Sequence, residues 1–109
     1  MNSKQINLLT HMKKLVSMKK CRFKSRNDRD YISDLFSLNI TEEEAWNIIL
    51  RLNYHNYFPD PKPTYSRNSS KSLTFKRLVN NKLAYIKLEL VHSKDGEETV
   101  CWSFHLDNN

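Results

Sequence analysis

Lys76, Tyr85 and His105 are the residues from which chemistry is most readily built, because the last third of the chain folds on paper into a meander that puts them in one row. An imidazole exchanges protons near neutral pH. A phenol between cations becomes a better acid, and a lysine neutralises a phosphate oxygen. With Lys87 beside Tyr85 and Lys62 in the preceding loop, the set suits cleavage of RNA without a metal. In that reaction the ribose 2′-hydroxyl attacks its own 3′-phosphate, so the nucleophile arrives with the substrate. The protein supplies a base for the hydroxyl proton, an acid for the leaving 5′-oxygen, and cations for the charge that develops on phosphorus.

Three alternating segments must position that row: SLTFKRLV from Ser72, KLAYIKLELVHS from Lys82, and EETVCWSFHL from Glu97. The turn signals Asn80-Asn81 and Asp95-Gly96 separate them, which is the pattern of antiparallel hairpins. A two-residue turn at Asn80-Asn81 sets Lys76 opposite Tyr85. A three-residue loop, Lys94-Asp95-Gly96, sets Ser93 opposite Glu97 and Tyr85 opposite His105. These registers gather Phe75, Ile86 and Phe104 in one apolar row and Leu73, Leu88 and Trp102 in the next. The other face carries Lys76-Tyr85-His105 and, beside it, Thr74-Lys87-Ser103, with Cys101 also on that side. A slip of one residue in either hairpin would mix the faces. A solvated sheet face also carries Lys, Thr and Tyr, so this row is weighed by its surroundings.

The chain has 109 residues, enough for one domain with a single core. Its 18 Lys and Arg against 12 Asp and Glu give a net charge of +6, which favours a polyanion or an acidic protein as partner. Leu8-Leu9 is too short an apolar run for a secretory signal, and no segment is apolar enough to span a membrane. Cys21 and Cys101 form no CxxC motif and read as reduced cytoplasmic thiols. The single glycine excludes a glycine-rich phosphate loop. His11, His55, His92 and His105 lack ligand spacing, so no metal or other cofactor is expected.

Upstream, Ile6, Leu9, Met12, Leu15 and Val16 predict a helix over Lys4 to Lys20, with Ser3 as its cap and lysines on its outer side. Cys21 to Lys24 reads as a short edge strand, and Asn27 or Asp28 as the cap of a second helix through Leu38. Thr41-Glu42-Glu43-Glu44 is a capping box, which accounts for its three acids as a helix start rather than a catalytic cluster. Ala45, Trp46, Ile48, Ile49 and Leu52 form the buried stripe behind it. The connection from Asn53 to Lys71 holds all three prolines and the aromatics Tyr54, Tyr57 and Phe58. Long connections in compact domains are usually functional or disordered, and bulky aromatics argue against disorder. Its last part, where Tyr65, Arg67 and Lys71 lie, suits gripping flanking nucleotides by stacking and charge.

Several stretches, taken in order, resemble the MqsR family of motility quorum-sensing regulator toxins. They are His11 to Val16, Asn47-Ile48-Ile49 with Leu52, Phe58, Thr64-Tyr65-Ser66, Leu78-Val79, Tyr85 to Leu88, Val91-His92 and Ser103-Phe104. The resemblance implies an mRNA interferase of RelE-like fold, needing no metal and neutralised by an antitoxin protein. It also implies a working tyrosine at Tyr85. The family's loop lysine aligns with Asp60, two residues from Lys62, and its last-strand lysine aligns with His105. Its glutamine falls on Lys71 or Ser72.

The expected fold is therefore α+β, about three helices on the apolar face of an antiparallel sheet, in a single domain spanning residues 1–109. The expected function is a toxin endoribonuclease acting on mRNA in the cytoplasm and partnered by its antitoxin. Tyr85 and His105 are its proton-transfer pair, with Lys62, Lys76 and Lys87 on the phosphate. The alternative is a non-catalytic RNA- or antitoxin-binding module on the same scaffold, and a third reading is a basic adaptor for an acidic protein.

Overall fold

The computed structural model describes residues 1–24, 30–59 and 71–107. Within them the chain is α+β. The helices are α1 (Ser3–Ser17), α2 (Tyr31–Ser37) and α3 (Glu42–Leu50), and the strands are β1 (Cys21–Phe23), β2 (Ser72–Val79), β3 (Lys82–Ser93) and β4 (Gly96–Leu106). A 3₁₀ turn at Tyr54–Asn56 follows α3. The strands form one sheet in the order β1-β4-β3-β2.

The sheet is mixed rather than wholly antiparallel. β1 is an edge strand, as expected, but it runs parallel to β4, with Arg22 opposite Val100. The chain leaves α1 through Lys19, whose φ of 62° turns it back toward the sheet. The Thr99 amide then donates to the Lys20 carbonyl and the Lys24 amide to the Cys101 carbonyl, both at 3.0 Å. Strand direction was not readable from so short a segment.

Helix starts follow local hydrogen bonding. α1 is capped by Asn2, not Ser3, because Asn2 and Gln5 satisfy each other's backbone amides at 2.9 Å. Ser3 would have put Ile6, which cannot reciprocate, at that third position. Thr41 and Glu44 make the same reciprocal pair on α3, as expected. α2 is capped by Asp30 through the Ile32 amide at 3.0 Å. The expected caps Asn27 and Asp28 lie outside the described residues.

All three helices cover one face of the sheet. Met12, Leu38, Ala45, Ile49 and Leu52 meet Phe75, Ala84, Ile86, Leu88, Cys101 and Phe104 there in one core. Burying each large member is worth about 1.5–3 kcal/mol. The Thr99 hydroxyl, itself buried, donates to the Met12 carbonyl at 2.9 Å and ties α1 to β4. Trp46 and Ile48 of the expected α3 stripe are half-buried, whereas Ile6 is exposed.

Register decides the site. Asn80 and Asn81 both have positive φ, 51° and 67°, and Lys76 pairs with Tyr85 as expected. The second hairpin is tighter than the expected loop: Ser93 pairs with Gly96, so Glu97 faces His92. Gly96 takes φ 107°, a conformation open to glycine. One residue is then regained at a β-bulge, where Leu88 pairs with Cys101 but Lys87 with Ser103. Trp102 is the extra residue. It is therefore Cys101, not Trp102, that joins Leu73 and Leu88 in the apolar row, and Cys101 is buried on the helix side rather than lying on the open face. Beyond the bulge Tyr85 faces His105, and Ile86 faces Phe104.

Candidate functional site

The open face of the sheet carries the expected row Lys76-Tyr85-His105, each residue directly across from the next. The Tyr85 and His105 rings stack with centroids 5.3 Å apart and planes inclined by 25°. His105 Nδ1 lies 2.8 Å from the Leu106 carbonyl oxygen. A carbonyl only accepts, so Nδ1 carries the proton and Nε2 holds the lone pair of the neutral ring. The backbone thus sets the tautomer that leaves Nε2 with its lone pair and no partner among the described residues.

Lys76 is less available than the sequence implies. Its ammonium makes a 2.8 Å ion pair with Asp107, and the two side chains are 17% and 7% exposed. It also lies 4.0 Å from the centre of the Phe58 ring. The carboxylate neutralises much of its charge locally, so Lys76 serves as a fixed wall of the row more than as a free cation. Asp107 was legible: two residues past His105, the alternation puts it on the same side, and its amide continues the ladder to the Leu83 carbonyl at 2.8 Å. Phe58 had no comparable signal. Its amide donates to the Thr74 carbonyl, and the Thr74 hydroxyl donates back to the Phe58 carbonyl, which locks the first part of the connection onto the edge of β2.

The neighbouring row is Thr74-Lys87-Ser103 as expected, with Thr74 and Ser103 buried and Lys87 half-buried. Farther along the same face, the bulged Trp102 donates its indole N–H to Glu89 at 3.0 Å, and Lys24 sits over its ring. Trp102 was expected against the helices. The bulge turns it to the opposite face instead, because the extra residue leaves the alternation.

Of the remaining expected residues, Lys62, Tyr65 and Arg67 lie outside the described residues. Lys71 is described but stands apart from Tyr85, at the start of β2, where its Nζ is 3.3 Å from His92 Nε2. There it joins a second group that sequence reading missed. Glu97 Oε1 is 3.0 Å from His11 Nε2 on α1, and Glu97 Oε2 is 3.3 Å from His92 Nε2 on β3. Hydrogen bonding from His11 is the main reason the Glu97 carboxyl sits below its usual range, with the charges of His11, His92 and Lys71 adding to it. The tight hairpin sets Glu97 opposite His92, and the packing of α1 over it adds His11, which no local spacing announces.

Neither thiol is primed for attack. Burial pushes Cys101 well above the ordinary thiol range, and burial, then Glu42 and Glu98, raises Cys21. Among the described residues no three His, Cys, Asp or Glu side chains are grouped so as to hold a metal ion. Nor is any helix long and apolar enough to cross a membrane.

No family model, no curated protein and no solved structure matches the chain.

Proposed function

We propose that the chain is a metal-independent endoribonuclease of the MqsR-like toxin kind, cutting mRNA at the Tyr85-His105 row and held inactive by a cognate antitoxin. The observation that carries this reading is the stacked pair itself, with the His105 tautomer set by the Leu106 carbonyl. His105 Nε2 takes the proton of the ribose 2′-hydroxyl as the O2′–P bond forms. The Tyr85 phenol gives its proton to the 5′-oxygen as the P–O5′ bond breaks. The products are a 2′,3′-cyclic phosphate and a 5′-hydroxyl. Lys87, two residues along the same face from Tyr85, and Lys62 neutralise the equatorial oxygens. Lys76, held by Asp107 and Phe58, keeps the Tyr85 side of the row in place. Three helices packed on one face of the sheet agree with the RelE-like architecture that the resemblance implies.

A second reading, a non-catalytic module binding RNA or an antitoxin, draws on that same Lys76–Asp107 pair, which removes one free cation from the row. The two are separated by incubating purified protein with a defined mRNA in excess EDTA and mapping the new ends. The expected result is cleavage that persists in chelator and leaves cyclic phosphate ends. Loss of cleavage in EDTA with recovery on added Mg²⁺ overturns the metal-independent chemistry. Binding without cleavage in either buffer puts the module reading ahead.

A further inference from the structure

Behind the β2 edge, on the helix side of the sheet, lies a groove of about 260 Å³ that none of the chemistry above uses. Its walls include Arg51 at the end of α3, Arg77 on β2, Asn47, Ile48 and Leu78. Neither arginine makes an ion pair among the described residues. Glu44 also lines the groove, and its carboxylate is engaged with the Thr41 backbone amide at 3.0 Å, where it closes the capping box of α3. Arg77 Nε faces the Leu78 carbonyl at 3.4 Å, a weak contact that leaves the rest of its donor fork uncommitted. Two guanidinium groups that make no ion pair among the described residues, in a recess of that volume, make a receptor for a phosphate-bearing unit about the size of one nucleotide.

The groove also connects with the Tyr85 face. Lys76 and Arg77 are consecutive on β2, so one points into the proposed active face and the other into the groove. Tyr57 pairs with Phe75 on the outer side of β2, but among the described residues nothing pairs with Arg77 to Val79 there. On the way over that edge lie Leu78 and Leu83, a cross-strand pair next to the Lys76-Tyr85 row. They are 65% and 40% exposed, an apolar shelf on which a base can rest.

We infer that the Arg51–Arg77 groove is a second phosphodiester-binding site, taking the RNA strand after it leaves the Tyr85-His105 row and crosses the Leu78–Leu83 shelf. The inference rests on the RNA-cleaving reading and adds a path for the strand. An RNA strand is favoured over an acidic protein segment because the adjoining exposed Leu78–Leu83 pair and the stacked Tyr85-His105 rings offer apolar and aromatic surfaces on which bases stack.

The test is anisotropy titration with uncleavable 2′-O-methyl oligonucleotides of three and ten nucleotides. It compares the wild-type protein with the Arg51→Gln/Arg77→Gln double variant. The double variant is expected to bind the ten-mer roughly tenfold more weakly at low salt, with the slope of log K against log salt reduced by about 0.7 per lost phosphate contact. The three-mer is expected to bind unchanged. Arg51→Lys/Arg77→Lys, which keeps the charge, should restore most of the slope and shows that the variant loss is not misfolding. Equal ten-mer affinity and slope in wild type and Gln variant overturns the groove alone. A wild-type protein that binds neither oligonucleotide overturns the RNA reading and the groove with it. Arginine-dependent binding of a poly-glutamate peptide without arginine-dependent RNA binding also overturns it, in favour of an acidic protein segment.

Discussion

The two ends of the β3–β4 ladder each hold histidine, and they hold it in opposite ways. Near the hairpin turn, on the helix side, His92 and His11 both direct Nε2 at the Glu97 carboxylate, with Lys71 close by. At the other end, on the open face, His105 gives Nδ1 to a backbone carbonyl and stacks on Tyr85. The first arrangement consumes the reactive nitrogen in an internal contact that joins α1 to the hairpin. The second fixes the ring and leaves the other nitrogen without a partner among the described residues. A histidine's saturation, more than its proximity to other titratable groups, separates a fastening from a proton carrier. Each end gathers four titratable side chains, His11, His92, Glu97 and Lys71 against Lys76, Tyr85, His105 and Asp107, and it is the second that the proposed chemistry uses.

The largest expected effect breaks or sustains that contrast directly. His105→Ala and Tyr85→Phe should each lower single-turnover RNA cleavage by roughly 10²–10⁴-fold, the range for losing a general acid or base. Binding to a 2′-deoxy substrate that cannot react should stay close to wild type. Glu97→Gln and His92→Ala should leave cleavage within about twofold, because their contacts lie at the far end and on the other face. Wild-type rates in both Tyr85→Phe and His105→Ala would sink the proton-transfer assignment. A collapse of rate in Glu97→Gln, with binding and folding intact, would reverse the roles of the two ends.

The next effect concerns stability. Lys76 and Asp107 are a mostly buried ion pair, whereas the His11–Glu97 contact is between exposed and half-buried groups. Removing one partner of a buried pair strands the other charge, so Lys76→Met should destabilise the fold by about 2 kcal/mol, less than for a fully buried pair. Asp107→Asn should cost a similar amount, and the double variant less than the sum of the two singles. Urea denaturation read by tryptophan fluorescence measures all three. Additive single effects would show that the pair contributes no coupling. Lys76 would then be an ordinary surface cation, and its loss would appear in RNA binding instead.

Sequence reading reached the Tyr85-His105 row because strand alternation and Asn-Asn turn chemistry are local signals. It reached the pairing by two displacements that cancel. The loop after Ser93 is one residue tighter than expected, and the bulge at Trp102 restores the count before Lys87. Nothing in Val100-Cys101-Trp102-Ser103 marks a bulge, since an apolar pair reads equally well as core. The error moved every residue from Glu97 to Trp102 to the other face, and among the residues assigned a face it showed in Cys101 and Trp102. The helix caps illustrate the same limit at smaller scale. Thr41 was found because Glu44 follows it at the right spacing, and Asn2 was missed because a serine stood beside it. The His92–Glu97 pair was missed because the hairpin is one residue tighter than expected, whereas the His11 contact and the Arg51–Arg77 groove depend on how helices sit over the sheet, and such contacts between distant segments leave no spacing to read.

The smallest expected effect is the pH dependence of the fastening at Glu97. Its carboxyl is held below the usual range, chiefly by the hydrogen bond from His11, so the folded chain binds this proton less readily than the unfolded chain does. A depressed folded value contributes stability above the unfolded value, near pH 4.3. That contribution is lost as the pH falls through the lower folded value, because protonation removes the charge that both imidazoles face. Melting temperature followed from pH 6 down to pH 2.5 should therefore fall less steeply below pH 4 in Glu97→Gln than in wild type, since glutamine has no proton to take up. Salt at 0.5 M should shrink the difference, as it does for charges open to solvent. Parallel curves for the two proteins across that window would show that Glu97 titrates alike in the folded and unfolded chains. The contact between α1 and the hairpin would then owe nothing to its charge, and the contrast between the two ends of the ladder would rest on the His105 tautomer alone.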